Sequence, residues 1–320
     1  MKIKLGTRGS KLALYQANLV KSKLEAYYKS LNESKSISIE IITVKTTGDK
    51  ILNASLSSFG GKGLFVKEIE EALFGGGIDI AVHSLKDVPQ VIPEGLEIGV
   101  TLKRDDPSDC IILKEKPKSA FTGYIQDLTA LLKKGAIVGT SSLRRRSLLD
   151  RYTEGLIFEP LRGNIDTRLE KVKKGFFDAI VLSSSGLIRL NLQSYIDAFL
   201  DPSVYIPQCG QGVIAVEYRA DRNDIKEAMK PLNDEDTFKA VFAERACIRA
   251  LDCGCASPVG AYAYVKDGEI YIKGFVSNTL GEYLEDEFKG RKDDYENIGN
   301  GLALRLIEKG AIGMLGKNNL

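Results

Sequence analysis

Apolar positions come in short bursts along the first part of the chain, and their spacing switches between two periods. Residues 2–7 (KIKLGT) read as a strand, Gly9–Tyr28 carries apolar residues at helical spacing, and Ile37–Val44 alternates before becoming continuously apolar. The next stretch, TTGDKILNASLSSFGGKG, is rich in Gly, Ser and Thr and has no period, which predicts a mobile loop. Helical spacing returns over Leu64–Phe74 through Leu64, Phe65, Ile69, Ala72 and Leu73, stops at Gly75-Gly76-Gly77 and hands over to a strand, IDIAVHS. Strand, helix, strand, helix, strand in that order predicts a parallel sheet with helices on its faces.

A second region repeats the pattern. Strand AIVGT (136–140), a helix from Ser141 to Tyr152, strand LIFEP (156–160), a helix Ile165–Lys174 capped by Asn164 and ended by Gly175, and strand FDAIVLS follow one another. Local echoes accompany the pattern: LGTRGSKLAL answers VGTSSLRRRSLL, and GGIDIAVHS answers GFFDAIVLS. Two related α/β domains are the expectation. From about residue 229 the pattern changes to a charged helix (Glu235–Ala250), two strands joined through the hairpin signal Asp267-Gly268, a strand Tyr283–Phe288 and a helix Tyr295–Gly310. That is a small α+β domain, the third.

Composition bounds the class. At 320 residues, 43% hydrophobic and 28% charged, the chain has enough apolar surface for more than one core and is far from the disordered regime. Neither a signal-peptide core nor an uncharged apolar run of bilayer length is visible, so the expected location is cytoplasmic. In that reducing compartment the five cysteines, Cys110, Cys209, Cys247, Cys253 and Cys255, are expected as free thiols. The net charge of +2 says little about partners, but the basic residues are grouped.

In open α/β sheets ligands bind beyond the carboxyl ends of strands, where loops lead into helix starts. Thr7, Arg8 and Ser10 of GTRGS fall at such an end, as do Thr140, Ser141, Ser142 and Arg144–Arg146 of GTSSLRRR; LRGNIDTR adds Arg162 and Arg168. Helix-start N–H groups and arginine forks favour anions, so a polyanionic ligand is predicted. Successive helical residues point about 100° apart, so at most two of the three consecutive arginines can face one ligand, and a solvated helix face is the plainer reading of the run. Near-neutral charge, the absence of tryptophan and arginines spread along strand ends argue against nucleic acid.

HSLKDVP (83–89) sets the only histidine beside Lys86 and Asp87 directly after a strand. A carboxylate and an ammonium there are parts for stabilising developing charge and moving protons, although a solvated turn before Pro89 is the plainer alternative. His83 by itself reads as a satisfied structural residue. Around the Cys-Gly-Cys of 253–255, structural zinc lacks its other two ligands and a redox pair lacks thioredoxin-like context. Covalent attachment of a cofactor stays open, and residue chemistry does not decide it.

Taken together, GTRGSKLALYQA, GGKGLFVKEIEEAL, DIAVHSLKDVP, RDDPSD, VGTSSLRRRS, LRGNIDTRL, GQG at 210–212, AERA at 243–246 and the Gly-Cys of 254–255 make the chain resemble the hydroxymethylbilane synthase (porphobilinogen deaminase) family over essentially its whole length. The resemblance implies a transferase of tetrapyrrole (haem and porphyrin) biosynthesis. It would deaminate four porphobilinogen molecules and join them head to tail into hydroxymethylbilane, releasing four ammonia. The work would start from a dipyrromethane cofactor held by a thioether to Cys255, with no metal. Cys253 stands where the family commonly has glycine.

By the same resemblance Asp87 is the catalytic acid, stabilising the cationic pyrrole that forms when the azafulvene is attacked. Lys86, Arg144, Arg145, Ser142 and Ser84 join Cys255 as cofactor-binding residues. Arg8, Ser10, Arg162, Arg168, Lys62 and Gln211 bind substrate, Gln211 matching the hinge between domains. The implied fold is α/β: two doubly wound domains like those of type II periplasmic solute-binding proteins, 1–103 with 209–225 and 104–208, plus a C-terminal α+β domain, 226–320. Residues 46–61 would form a lid over the cleft. Porphobilinogen is the expected partner of a monomer that binds neither nucleic acid nor membrane. A two-lobed binding protein for anionic solutes is the rival reading, against which stand the missing export signal, the third domain and Cys255; a thiol-redox or metal protein is the third.

Overall fold

The computed structural model describes residues 1–31, 37–47, 66–116, 123–252 and 257–316. Its elements begin with β1 (Lys2–Thr7), α1 (Lys11–Ser30), β2 (Ser38–Thr43), α2 (Lys67–Phe74), β3 (Ile80–Ser84), a 3₁₀ turn over Leu85–Asp87 and β4 (Leu96–Thr101). Then come β5 (Asp109–Leu113), β6 (Tyr124–Ile125), β7 (Ile137–Gly139), α3 (Leu143–Tyr152), β8 (Ile157–Glu159), α4 (Ile165–Lys173), β9 (Ala179–Ser183), α5 (Ser184–Arg189) and β10 (Ala198–Leu200). The last are β11 (Ile214–Arg219), α6 (Asn223–Met229), α7 (Glu235–Ala250), β12 (Val259–Lys266), β13 (Glu269–Ser277), β14 (Tyr283–Arg291), α8 (Tyr295–Glu308) and α9 (Ala311–Gly316). Two compact units emerge, Met1–Asp105 with Val213–Phe238 and Asp106–Gly212 with Lys239–Leu320.

The first unit is built on a five-stranded sheet in the order β2-β1-β3-β11-β4. Ile3 and Leu5 of β1 turn inward while Lys2 and Lys4 stay in water, the period-two pattern expected of a strand with one covered face. They pack with Ala17, Val20 and Leu24 of α1 and with Ile80 and Val82 of β3. β1 runs parallel to β2 and β3, as the alternation predicts, and β11, a strand outside that alternation, is antiparallel to both β3 and β4. A strand that arrives from far along the chain needs no helical crossover, so nothing forces it to run parallel.

The second unit carries a six-stranded sheet, β6-β10-β5-β9-β7-β8, and a three-stranded one, β12-β13-β14. β7 is parallel to β8 and β9, whereas β5 is antiparallel to β9 and β10. The small sheet is antiparallel throughout, with Asp267-Gly268 joining β12 to β13 as the hairpin signal predicts. Its apolar face packs on Ala240, Ala243 and Cys247 of α7 and on Leu302, Ala303 and Leu306 of α8. Gly299 lets the two helices meet, since a Cβ there would lie 2.1 Å from the Ala243 carbonyl oxygen.

The sequence echoes have a physical counterpart in each unit. The Asp79 carboxylate accepts the Lys4 N–H at 2.8 Å while its own N–H reaches the Lys4 carbonyl at 2.8 Å. Asp178 and Ile137 make the same pair of bonds, each 2.8 Å long. An aspartate entering one strand thus closes the start of its pairing with the parallel neighbour in both sheets.

Glu244 of α7 is fully buried, and its carboxylate accepts the N–H groups of Gly210 at 2.7 Å and Ala263 at 2.8 Å. One side chain therefore pins the 208–212 segment and β12 to the same helix. Glu244→Ala strands two buried donors, and at about 1–3 kcal/mol each the loss is expected to be about 2–6 kcal/mol by urea unfolding, with Glu244→Gln losing less because it keeps one acceptor. An unchanged midpoint in Glu244→Ala would contradict this role.

Candidate functional site

In the first unit, adjacent parallel strands β1 and β3 bring two loops together at their carboxyl ends. Ser10 caps α1, its Oγ accepting the Ala13 N–H at 3.3 Å. Gln16, buried one turn later, donates from Nε2 to Ser84 Oγ at 2.8 Å and so ties the helix to the end of β3. Arg8, Ser10, Gln16, His83, Ser84 and Asp87 share the lining of a pocket of about 60 Å³. Asp87 is exposed at the end of its 3₁₀ turn, which is held by Val88 N–H to the Leu85 carbonyl at 3.1 Å. Lys86 is half-buried beside it.

Behind this wall lies a second set of acids. His83 Nε2 is 2.9 Å from Glu217 Oε2, and both side chains are buried. Glu70 of α2 faces them. Burial and the Glu217 charge push its carboxyl from 4.5 up to about 6, against an opposing pull from His83.

In the second unit the corresponding strand end leads into α3. Ser142 Oγ accepts the Arg145 N–H at 3.4 Å, Ser142 N–H reaches Thr140 Oγ1 at 3.2 Å, and Ser141 Oγ donates to the Leu161 carbonyl at 3.0 Å. The three arginines separate as helical geometry requires. Arg144, 4% exposed, donates to Asp109 Oδ2 at 2.6 Å and to the Ile206 carbonyl at 2.8 Å. Arg145 donates to Asp109 Oδ1 at 2.7 Å and to the Val181 carbonyl at 3.0 Å, while Arg146 is exposed over the Phe158 ring.

Asp109 is the hub of this cluster. Burial would raise its carboxyl, but the Arg144 and Arg145 guanidiniums outweigh that and hold it well below the usual carboxylate range. Gln211, fully buried, adds Nε2 bonds to Asp109 Oδ1 at 3.0 Å and to the Pro107 carbonyl at 2.7 Å. Arg162 and Arg168 flank a tight turn at Gly163, whose φ of +110° is one that L side chains rarely adopt, and Arg168 Nε donates to the Gly163 carbonyl at 2.7 Å.

The structure thus gathers Arg8, Ser10, Ser84 and Asp87 at one pocket and Arg144, Arg145 and Gln211 around one buried aspartate, with Ser142 capping the helix that carries the two arginines. The polar groups of Arg144 and Gln211 point inward, to Asp109 and to backbone carbonyls. Cys255, Cys253, Lys62 and the lid segment beyond Thr47 lie outside the described residues. Sequence reasoning passed over Gln16, Asp109, Glu217 and Arg189, a buried arginine of α5 that donates to the Gly212 carbonyl at 2.8 Å. Asp109 and Gln16 had a signal, since they lie in the motifs RDDPSD and GTRGSKLALYQA; Glu217 and Arg189 had none beyond their polarity.

Arg145 Nε is buried with no hydrogen-bond partner among the described residues. A buried cationic donor lacking an acceptor, beside the first-turn N–H groups of a helix, fits a ligand that brings carboxylates.

Comparison with known proteins agrees with this chemistry. The family model described as porphobilinogen deaminase, dipyromethane cofactor binding domain, matches residues 3–227, and that described as porphobilinogen deaminase, C-terminal domain, matches 238–308. The chain is 44% identical over 311 residues to the porphobilinogen deaminase of Syntrophobacter fumaroxidans, covering 97% of this chain and 95% of that protein. It is 41% identical over 311 residues to that of Chromobacterium violaceum, covering 97% and 96%. Among solved structures it is similar to a TRAP periplasmic solute-binding protein from Desulfovibrio salexigens, with 13% identity, TM-score 0.42 and coverage of 73% and 72%. The sulphonate-binding protein SsuA from Escherichia coli is similar at 16% identity and TM-score 0.39, covering 78% of this chain and 70% of that one.

The raised Glu70 carboxyl has a consequence for stability. The folded chain binds more protons than the unfolded chain between pH 4.5 and 6, so stability falls as pH rises through that window. Because the group is partly exposed, solvent screening reduces the effect to about 1 kcal/mol. Glu70→Gln is expected to be more stable than wild type by about that amount at neutral pH in urea unfolding, and equal to it below pH 4.5. A difference independent of pH would contradict the assignment.

Proposed function

The chain belongs to the porphobilinogen deaminase family, and from that membership we propose how its own residues carry out the reaction. The reaction is the deamination and head-to-tail joining of four porphobilinogen molecules into the linear tetrapyrrole hydroxymethylbilane, a step of porphyrin biosynthesis. The observation that carries the residue assignment is the first-unit pocket, where Asp87 lines the same wall as Arg8 and Ser10.

Each pyrrole brings an acetate and a propionate. Arg8 and Ser10 bind such carboxylates in the first unit, with Lys62 and Lys86 as further cations and Ser84 as a hydroxyl ligand. In the second unit Arg145, Ser142 and the start of α3 bind the cofactor's carboxylates, and Arg162 and Arg168 those of the substrate. Arg144 and Gln211 act one step back, by fixing Asp109 and through it Arg145.

Asp87 is the catalytic residue. Loss of ammonia leaves an electrophilic methylene, and its attack by a pyrrole carbon puts positive charge on ring nitrogen. A carboxylate at that point stabilises the charge. Cys255 holds the dipyrromethane cofactor through a thioether, a bond that a nucleophilic thiolate forms readily with such an electrophile. When bound, that cofactor supplies the pyrrole carbon to which the first substrate is joined.

The same reading takes the enzyme as a cytoplasmic monomer of three domains, 1–103 with 209–225, 104–208 and 226–320, with residues 46–61 as a lid. It binds porphobilinogen and neither nucleic acid nor membrane. No helix of the described residues is long and apolar enough to cross a membrane.

Purified protein given porphobilinogen is expected to release four ammonia for each hydroxymethylbilane formed. Asp87→Ala is expected to lower turnover by roughly 10³-fold or more while still giving the dipyrromethane colour with Ehrlich's reagent. Wild-type protein that leaves porphobilinogen untouched would overturn the functional reading; near-normal turnover in the variant would overturn the role of Asp87 alone.

A further inference from the structure

Glu217 is an expensive residue for its place. It sits in β11 between Val216 and Tyr218, all three buried, where a valine would pack without loss. Its carboxylate is fully buried, its Oε1 has no hydrogen-bond partner among the described residues, and only Oε2 is engaged, by His83. A buried carboxylate so thinly satisfied costs several kcal/mol, and such groups mark places where something other than packing is at stake. The register of β11 against β4 slips between Val216 and Glu217, and an irregularity of this kind re-aims a side chain next to a site.

His83 joins that carboxylate to the pocket. A carboxylate can only accept, so the ring nitrogen facing it, Nε2, carries the hydrogen. The other nitrogen, Nδ1, makes no hydrogen bond among the described residues, and His83 lines the pocket together with Asp87 and Arg8. Glu70 from α2 is the further charged group facing the pair.

We propose that Glu217 is a positioning residue that holds His83 in the tautomer presenting a bare Nδ1 to the pocket, where the imidazole accepts the proton freed when two pyrrole units are joined. Once the new carbon–carbon bond has formed, the C–H bond at the attacking carbon breaks and its electron pair restores the aromatic ring. The proton passes to Nδ1, the imidazolium is balanced by the Glu217 carboxylate, and the proton departs on the released ammonia as ammonium. Asp87 stabilises the ring cation in the same pocket, so charge and proton are handled by different groups. This inference rests on the porphobilinogen-joining reading of the pocket.

The chain has a single histidine, so protein labelled with ¹⁵N-histidine gives one imidazole whose tautomer is read directly by NMR. In the cofactor-loaded enzyme near neutral pH the ring is expected to be protonated at Nε2 and bare at Nδ1, and Glu217→Gln, whose amide can also donate, is expected to disturb that preference. His83→Gln is expected to lower kcat for porphobilinogen roughly 10²-fold with KM within about twofold and with Ehrlich colour retained. A ring protonated at Nδ1, or His83→Gln turning over at the wild-type rate, would overturn the proposal even if Glu217→Gln failed to fold. Wild-type enzyme inert towards porphobilinogen would instead refute the functional reading beneath it.

Discussion

The Asp109 carboxylate lies between two guanidiniums, and the candidate site of the second unit is arranged around it. Its Oδ1 takes Arg145 and Gln211 and its Oδ2 takes Arg144, so one strand start, one helix start and the 206–212 segment meet at a single buried anion. Removing such a charge from water costs several kcal/mol and is offset only where every oxygen is well engaged, as it is here. The arrangement fixes Arg145 by two of its nitrogens and leaves the third, Nε, buried without an acceptor. An arginine immobilised in this way loses little further freedom when a carboxylate binds, which is how a fixed donor gains affinity over a free one.

The first unit solves a different problem with the same parts. There too a parallel strand ends in a serine-capped helix, but the neighbouring strand contributes acids and an imidazole in place of an arginine pair. In the proposed reading, carboxylate recognition falls to Arg8 and the helix start, and the handling of charge to Asp87 and the His83–Glu217 pair behind it. A reaction that builds an ever more anionic product while passing through cationic rings needs both kinds of wall. The wall with cations alone would bind the product and do nothing for the ring charge.

Much of the frame was legible because burial follows period. Lys2 and Lys4 facing water against Ile3 and Leu5 is a strand that announces itself, and the helices α1, α3 and α4 fall within a few residues of where spacing and capping residues put them. β5 and β11 were not seen, because a short apolar run buried on both faces has no period to read. β11 pairs antiparallel with β3 across more than a hundred intervening residues, a contact no local pattern encodes. Motifs located Arg8, Ser10, Asp87 and Arg145, but a motif is blind to what a side chain meets. Arg144 and Arg145 are neighbours in one run, yet one is committed to the interior and the other keeps a donor to spare. Glu217, distant in sequence, occupies one of the nitrogens of His83, a partner no local pattern could name.

The account turns on a primer covalently held by Cys255, and the intact mass of the denatured protein beside its Cys255→Ser variant tests that most directly. The wild-type chain is predicted to exceed its polypeptide mass by two linked pyrrole units, the variant to show none, and a wild-type sample lacking the excess to regain it on incubation with porphobilinogen. A wild-type mass that stays at the bare polypeptide value after that incubation, or an adduct that persists in the variant, would contradict it.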